Sequence, residues 1–240
     1  MKNQSYPKYS IGIDIGGTKI KAVLWDKKKI NKSKRILTPD NNKELKSALQ
    51  NIVKELKPNK KEFLIGIGVA GVVKNTSLLS APNIPKVKNL DFRKVFLRNS
   101  LLLVDNDARC FLKSELFFTS LKEIKSVFGL TIGTGIGRAY AKNGIVQKIR
   151  RFEDQEQWEK EYQKIRDKKN YILLAQFLGQ KLLTLLEKYN SEIIVIGGGL
   201  IKNRKFFNKF RQELKKQGIK SKIKCSKLGE NAVSFGSILY

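Results

Sequence analysis

Short runs of apolar residues alternate along the chain with longer stretches in which apolar positions recur every three or four residues. The runs at 9–15 and 19–25 predict two strands, and the glycine pair between them predicts a tight hairpin turn. Apolar residues at helical spacing over 40–56 predict an amphipathic helix that ends before Pro58.

The rest of the first half continues this alternation. Strands are predicted at 63–69 and 101–104, an irregular loop with two prolines at 80–85, and a helix at 108–122. Regular alternation of strands and helices is typical of an α/β fold.

The second half repeats the first in outline. Strands predicted at 126–132 and 138–141 enclose a glycine-rich turn, and Asn143-Gly144 predicts a second hairpin turn. The two strand-turn-strand units stand about 117 residues apart. The remaining predicted elements are a charged segment at 148–169, a helical stretch around 172–186, a strand at 192–196, a helix around 206–214, a strand at 222–225 and a short helix at 231–240.

Charge adds a strong basic excess to this picture. The 240 residues include 49 Lys+Arg and 21 Asp+Glu, so the net charge is 49 − 21 = +28. Clustered basic residues attract nucleic-acid phosphates, but here they are spread along the chain and mixed with Glu. We therefore interpret the basic residues as solvent-exposed side chains on the polar faces of helices and in turns, in preference to a specific nucleic-acid surface.

Apolar content and the character of the N-terminus bear on location. Apolar residues make up 41% of the chain, which is enough for a core, and no run approaches the roughly 18 apolar residues of a membrane span. The first ten residues lack the apolar core of a signal peptide. We expect a soluble, cytoplasmic protein without a membrane partner.

The chain has no His and two Cys, which excludes several kinds of site. Triads and dyads that use histidine as base are impossible, and so is zinc held by histidine. Cys110 and Cys225 lie far apart in the sequence, without a CxxC partner, so we expect neither a zinc site nor a disulfide scaffold. We therefore expect the protein in a reducing compartment.

The first chemical motif is Asp14 followed by Gly16, Gly17, Thr18 and Lys19. Two residues without Cβ let backbone N–H groups approach a phosphate, the carboxylate can hold Mg²⁺, and the threonine hydroxyl adds a donor. Dinucleotide-binding and Walker A loops need a helix after the glycines, whereas a strand follows here. The alternative is an ordinary Gly-Gly hairpin with a chance aspartate.

Two more glycine turns lie in the second half. The turn at 133–137 joins two strands and has no carboxylate, so it predicts either a second phosphate-binding turn or a plain hairpin. The glycines after strand 192–196 lie where a flat nucleotide can contact bare backbone, or they form a loose strand-to-helix connection. The residues concerned are Gly133, Thr134, Gly135, Gly197, Gly198 and Gly199.

An acidic turn follows the predicted strand 101–104. Asp105, Asn106 and Asp107 lie where α/β sheets present ligands, so Asp107 could accept a hydroxyl proton and Asn106 could bind neighbouring hydroxyls. The alternative is that one of the three caps the following helix.

Taken in order, these motifs resemble those of the ROK family of sugar kinases, in the superfamily that includes hexokinases and actin. Segment 14–19 is similar to the family's D-x-G-G-T-K, and 133–137 to its G-T-G-I-G. The other similar segments are 65–72 (IGIGVAGV), 80–85 (SAPNIP), 106–108 (NDA), 196–199 (IGGG) and 228–236 (LGENA with FG).

The resemblance implies an α/β fold with two similar ribonuclease-H-like domains, 1–107 plus 228–240 and 108–227, and a nucleotide cleft between them. It implies that the protein uses ATP and Mg²⁺ to phosphorylate a hexose or N-acetylhexosamine. The sequence leaves open whether the protein forms a homodimer.

The resemblance also implies roles for the matched residues. Asp107 would be the general base, and Asp14 would organise Mg²⁺. Asn106, Asn83 and the backbone near Gly68 would hold other sugar hydroxyls, while the two threonines would hold phosphates and the last glycines adenosine. The residues assigned to ATP are Gly16, Gly17, Thr18, Lys19, Gly133, Thr134, Gly135, Gly197, Gly198 and Gly199.

The chain departs from the family pattern after the second hairpin. Family members carry an E-x-G-H segment and a Cys/His zinc cluster there, and this chain has neither. Without a gap, Glu156 aligns with the family's Glu and Glu159 with its His. Deletion is favoured because the chain is shorter than typical members and 152–163 contains no glycine.

Three functions stay open on the sequence alone. The first is an active sugar kinase with a reduced sugar site, favoured by Asp14, Asn106 and Asp107 together. The second is a nucleotide-binding relative without sugar phosphorylation, and the third is a basic binding protein on the same fold. Only about eight residues precede the first predicted strand, so we do not expect the N-terminal helix-turn-helix of ROK repressors.

Overall fold

The computed structural model describes residues 7–59, 62–96 and 101–239. The strands are β1 (Ser10–Ile15), β2 (Lys19–Trp25), β3 (Ile30–Leu37), β4 (Leu64–Val69), β5 (Val72–Lys74), β6 (Ser77–Ser80), β7 (Lys88–Asp91), β8 (Leu101–Asn106), β9 (Ser126–Ile132), β10 (Ile136–Lys142), β11 (Ile145–Val146), β12 (Ile193–Gly197) and β13 (Lys222–Cys225). The α-helices are α1 (Asn42–Leu56), α2 (Asp107–Phe118), α3 (Glu159–Asp167), α4 (Tyr171–Tyr189), α5 (Arg204–Lys216) and α6 (Ala232–Ser237). The α/β fold predicted from the sequence is confirmed.

The chain divides into two compact units. The first runs to Ser114 and includes the segment from Asn231 onward, and the second is Glu115–Glu230. The domain boundaries predicted from the sequence, at 107/108 and 227/228, stay a prediction, as does a nucleotide cleft.

The first unit is built on a mixed five-stranded sheet with the order β3-β2-β1-β4-β8. β1 pairs antiparallel with β2, and β1, β4 and β8 run parallel. Asp14, Gly68 and Asp105 share one level of the register on neighbouring strands. The carboxyl ends of the three parallel strands therefore meet at one edge, where α/β sheets present ligands.

A helix covers each face of this sheet. The apolar side of α1 (Leu45, Leu49, Ile52 and Leu56) packs in the core with the isoleucines of β1. On the other face α6 approaches so closely that a Cβ on Gly12 would lie 2.0 Å from the Ser234 carbonyl oxygen.

The second unit repeats the strand order with β11-β10-β9-β12-β13. β9 and β10 form the antiparallel hairpin, and β9, β12 and β13 run parallel. The predicted repetition of the first half by the second is therefore confirmed at the level of topology. Aromatic side chains fill the core, including Phe128, Tyr162, Phe206 and Phe210.

The sequence patterns missed three features. β3 lies at the edge of its sheet and exposes Asn31, Lys32, Ser33 and Arg35, so it has no continuous apolar signal. β5, β6 and β7 form a small antiparallel sheet around the segment predicted as loop, and their three or four residues each are too few to show a period. Helix α3 lies inside the charged segment 148–169.

Predicted bounds were right for the strands at 19–25, 126–132 and 222–225. α2 ends at Phe118, short of the predicted 122, and α6 ends at Ser237. The last residue of the predicted final helix, Tyr240, lies outside the described residues. Across the described ranges, no helix has the length and apolar character needed to cross a membrane.

Candidate functional site

The first glycine turn is held by hydrogen bonds from a residue that the sequence patterns did not single out. The Gly16 N–H donates to the Lys19 carbonyl (3.1 Å), while Thr38 donates from its hydroxyl to the Gly16 carbonyl (2.7 Å) and from its N–H to the Thr18 carbonyl (3.1 Å). Thr38 directly follows β3, so the strand that the patterns missed supplies these contacts. Thr18 itself is exposed.

Asn83 lies against this turn. A Cβ on Gly17 would be 2.5 Å from the Asn83 Cβ, so only glycine fits while Asn83 keeps its position. The structure thus brings a predicted sugar-binding residue beside a predicted phosphate-binding turn.

Asp14 is partly exposed at the end of β1 and is the residue predicted to hold Mg²⁺. Within 7–59, 62–96 and 101–239 there is no group of three or more His, Cys, Asp or Glu side chains that could hold a metal ion by themselves. Mg²⁺ at nucleotide sites is commonly bound by one or two carboxylates, with phosphates and water completing the shell. A carboxylate beside a glycine turn fits that donor set.

Asn106 caps helix α2. Its Oδ1 accepts hydrogen bonds from the N–H groups of Ala108 (3.0 Å) and Arg109 (3.4 Å), and its Nδ2 donates to the Gly71 carbonyl (3.0 Å). The capping alternative is therefore confirmed for this residue. A side-chain amide has two N–H donors. The predicted contact between Asn106 and a sugar hydroxyl would therefore use the N–H that does not donate to Gly71.

Asp107 is the first residue of α2 and accepts a hydrogen bond from the Ala108 N–H (2.8 Å). Burial raises the pKa of its carboxyl from 3.8 to about 6, against the Ala108 N–H and the Arg109 charge, which lower it. A pKa close to the working pH is what a general base requires, because the group must both accept and release a proton.

Asp105, two residues earlier, has the opposite electrostatic environment. It forms ion pairs with Arg109 (Nε to Oδ1, 2.6 Å) and Lys113 (Nζ to Oδ2, 2.9 Å). Burial opposes ionisation, but the Lys113 and Arg109 charges outweigh it and lower the pKa of Asp105. The environments of these two carboxylates therefore move their pKa values in opposite directions, lower for Asp105 and higher for Asp107.

Gly68 has a packing role at the centre of the sheet. A Cβ there would lie 2.5 Å from the Val233 Cγ1 and 3.2 Å from the Cys110 Sγ, so its glycine lets α6 and α2 approach. Its predicted contact with sugar hydroxyls stays a prediction.

In the second unit, helix α3 contacts the turn at 133–135. The Tyr162 hydroxyl donates to the Gly133 carbonyl (2.6 Å), and the Arg166 guanidinium donates to the carbonyls of Gly133 (3.3 Å) and Thr134 (2.6 Å). The sequence patterns missed these residues. Their signal is the spacing of Glu159, Tyr162, Gln163 and Arg166, which repeats at helical intervals inside the charged segment.

The third glycine segment lies next to this turn. Gly198 has φ +95°, and a Cβ on it would be 2.4 Å from the Ile132 carbonyl oxygen, so only glycine is tolerated. A Cβ on Gly133 would be 3.9 Å from the Gly199 nitrogen, whereas a Cβ on Gly199 would meet nothing within 4 Å. The structure therefore brings together two of the glycine segments assigned to ATP, with open space beside Gly199.

Glu156 and Glu159 occupy different environments just before and at the start of α3. The Glu159 carboxylate is buried and pairs with Arg138 (2.6 Å). Glu156 is half-buried and lies 3.9 Å from an Arg151 guanidinium nitrogen. Glu156 belongs to the second unit, whereas Asn83, Asn106 and Asp107 belong to the first, and its sugar-binding role stays a prediction.

Comparison with known proteins gives sequence relatives among sugar kinases. The chain is 35% identical to the N-acetyl-D-glucosamine kinase of Photobacterium profundum, over 56% of this chain and 46% of that protein. It is 33% identical to the glucokinase of Streptomyces coelicolor, over 53% and 42% respectively. The chain thus spans about half the length of the curated relatives it matches.

Solved structures match the fold over nearly the whole chain. A ROK family glucokinase from Streptomyces griseus, in complex with glucose and AMPPNP, superposes with a TM-score of 0.79 at 20% identity, covering 95% of this chain and 97% of that one. An inorganic polyphosphate/ATP-glucomannokinase from Arthrobacter also has a TM-score of 0.79, at 22% identity and 96% and 97% coverage. Residues 10–151, more than half of the chain, match the ROK family model, and the chain belongs to the ROK family.

Proposed function

We propose that this protein is an ATP-dependent sugar kinase that phosphorylates a hydroxyl of a hexose or N-acetylhexosamine, with Asp107 as general base. The observation that carries the proposal is the pair of carboxylates on either side of the helix cap. Asp105 is neutralised by Arg109 and Lys113, whereas burial raises the pKa of Asp107 to about 6. The family and the sugar kinases among its sequence relatives support the same activity.

The proposed reaction transfers the γ-phosphoryl group of ATP to a sugar hydroxyl. The Asp107 carboxylate takes the proton of the attacking hydroxyl as that oxygen forms a bond to the γ-phosphorus of ATP. The bond from the γ-phosphorus to the bridging oxygen breaks, and ADP leaves. Phosphoryl transfer needs mainly positioning and charge neutralisation, with one carboxylate directing the nucleophile.

The remaining groups bind and orient. Asn106 is fixed by its capping bonds, so its remaining amide N–H is pre-oriented, and Asn83 is held against Gly17. Asp14 would hold Mg²⁺, which when bound neutralises phosphate charge. The glycine segments of the second unit offer backbone to the phosphates and adenosine.

The test is ATP turnover over a panel of hexoses and N-acetylhexosamines, with the phosphorylated product identified by mass. We expect turnover with at least one sugar. Asp107→Asn should lower it by about 10²- to 10⁴-fold, which is the usual contribution of a general base, without weakening ATP binding. The control is Asp154→Asn, which changes an exposed carboxylate paired with Arg150 in the second unit.

Two results would contradict the proposal. Full ATP affinity without turnover of any sugar would favour a nucleotide-binding relative that no longer phosphorylates sugar. Equal turnover in wild type and Asp107→Asn would exclude Asp107 as the base.

A further inference from the structure

We propose that helix α3 is the positioning element of the phosphate-binding turn, with Tyr162 and Arg166 turning its carbonyls inward so that its N–H groups face the triphosphate of ATP. The inference rests on the proposed function. It assigns a role to a segment, 148–169, that the motifs left unexplained.

The polar contacts of α3 come from one face of the helix. Glu159, Tyr162, Gln163 and Arg166 follow the i, i+3, i+4, i+7 spacing that places side chains on one side of a helix. Each of these side chains donates to or accepts from the backbone of residues 133–136. A charged segment that would be expected to be a solvated surface instead has a face directed at the turn.

All three carbonyl oxygens of the turn are engaged inside the second unit. The Gly133 oxygen accepts from Tyr162 and Arg166, and the Thr134 oxygen accepts from Arg166 (2.6 Å) and Gln163 (3.4 Å). The Gly135 oxygen accepts from the Gly133 N–H (3.0 Å). Carbonyl oxygens carry partial negative charge and would repel a phosphate, so these bonds remove an obstacle to anion binding.

The geometry of the peptide bond gives the positive consequence. In a trans peptide the C=O of one residue and the N–H of the next point in opposite directions. Because the Gly133 and Thr134 carbonyls point toward α3, the N–H groups of Thr134 and Gly135 point away from it. Successive N–H groups that point to the same side form an anion-binding concavity.

The first turn of α3 is anchored independently of Tyr162 and Arg166. The buried Glu159 carboxylate pairs with Arg138 on β10 and accepts from the Ile136 N–H (3.4 Å), directly after the turn. The Trp158 ring lies over the Arg138 guanidinium at 5.4 Å. Substitutions near the C-terminal end of the helix therefore leave this anchor in place.

Tyr162 and Arg166 act as hydrogen-bond donors more than as charges. Burial raises the pKa of Tyr162, so its hydroxyl keeps its proton. The Arg166 guanidinium is also paired with Asp167 through Nε (2.9 Å) and a terminal nitrogen (2.8 Å), which offsets its charge. The inference therefore concerns the direction of the turn's peptides, and each donor can be removed separately.

The experiment is calorimetric titration of wild type, Tyr162→Phe, Arg166→Gln and Arg166→Lys with Mg·ATP and, separately, with adenosine. Loss of one neutral hydrogen bond in Tyr162→Phe should weaken ATP binding about 2- to 10-fold. Arg166→Gln should weaken it about tenfold or more. Arg166→Lys, which keeps a cationic donor but loses the planar fork, should recover part of the loss. Adenosine affinity and the KM for sugar should not change.

The matched control is Arg150→Gln, which removes the same charge from an exposed arginine paired with Asp154. Melting temperatures of all variants establish that the fold is kept. Amide exchange of the Thr134 and Gly135 N–H groups in the nucleotide-free protein should be faster in Tyr162→Phe and Arg166→Gln, because the turn is less fixed.

The outcomes separate this inference from the proposed function. If wild type binds ATP and the variants bind it equally well, α3 does not position the turn. Equal losses for ATP and adenosine would reduce α3 to a structural support and also overturn the inference. A wild type that binds no ATP would overturn the proposed function, and the inference with it.

Discussion

Replacing Asp107 by Asn should make the protein more stable above neutral pH, although the proposed function predicts that the same change lowers turnover. The carboxyl pKa rises from 3.8 to about 6 on folding, because burial disfavours the charged form. At about 1.4 kcal/mol per pKa unit, a rise of about two units means that the ionised carboxylate lowers the free energy of unfolding by about 3 kcal/mol.

The sign determines the pH window. Because the pKa is higher in the folded protein, the folded state binds more protons between about pH 4 and pH 6, and this stabilisation is lost as the pH rises through 6. Asp107→Asn has no such loss. Its free energy of unfolding should therefore exceed that of wild type by up to about 3 kcal/mol at pH 8, and the difference should fade toward pH 4.

Asp105→Asn is the control with the opposite sign. The Asp105 carboxylate neutralises Arg109, whose side chain is 6% exposed, so its removal leaves a buried cation without this partner. The pKa of Asp105 is lowered despite burial, by the charges of Lys113 and Arg109. Asp105→Asn should therefore destabilise the protein at neutral pH, and the deficit should shrink only in acid, as wild type protonates this group.

The assay is urea unfolding at pH 4.5 and pH 8 in a Trp158→Phe background. Trp25 then remains as the fluorescent reporter, and it packs edge-on against Phe235 (ring centroids 6.0 Å) within the first unit. The electrostatic argument would be refuted if Asp107→Asn were no more stable than wild type at pH 8, or if its gain in stability were equal at both pH values. It would also be refuted if Asp107→Asn and Asp105→Asn changed the free energy of unfolding in the same direction at pH 8.

Three further predictions concern packing, metal and charge. A Cβ on Gly236 would lie 1.6 Å from the Cys110 carbonyl oxygen, whereas one on Gly199 would meet nothing within 4 Å. Gly236→Ala should therefore lower the melting temperature sharply, and Gly199→Ala should leave it unchanged while weakening adenosine binding. Equal melting temperatures of the two variants would contradict the packing argument. Asp14→Asn should raise the Mg²⁺ concentration for half-maximal turnover by about tenfold or more, because an interaction with a charged group is lost. An unchanged dependence of turnover on Mg²⁺ concentration would show that Asp14 does not bind Mg²⁺. A labelled DNA duplex should bind the +28 chain at low salt and dissociate by about 0.2 M salt, while tight binding that persists above that concentration would indicate a dedicated nucleic-acid surface.

Much of the fold could be predicted from local patterns. The strand Lys19–Trp25 and the hairpin partner Ser126–Ile132 have the predicted bounds, because alternating apolar positions next to glycines are a local property. β3 could not be found in this way, since an edge strand exposes much of its surface and so tolerates Lys and Arg. Its contribution nevertheless matters to the site, because Thr38 after it holds the first turn.

The candidate site was predictable to a similar extent. The glycines and acidic residues were identifiable by type and spacing. The sequence left Asp105, Asn106 and Asp107 as candidates for the α2 cap, and the structure shows that Asn106 accepts hydrogen bonds from the helix N–H groups. The motif around Gly68 suggested a role in sugar binding. In the structure, the close packing of Val233 and Cys110 against Gly68 explains why this residue is a glycine.

By itself the sequence determined which chemical groups are present: paired glycine turns, an acidic turn after a strand, and no histidine to serve as base or ligand. These are properties of single residues and near neighbours. Only the tertiary structure decided that charges lower the pKa of Asp105 while burial raises the pKa of Asp107, and that Tyr162 and Arg166 of α3 donate hydrogen bonds to the turn at 133–135. A pKa and a hydrogen bond depend on burial and on partners brought together by folding, and neither is encoded in residue spacing alone.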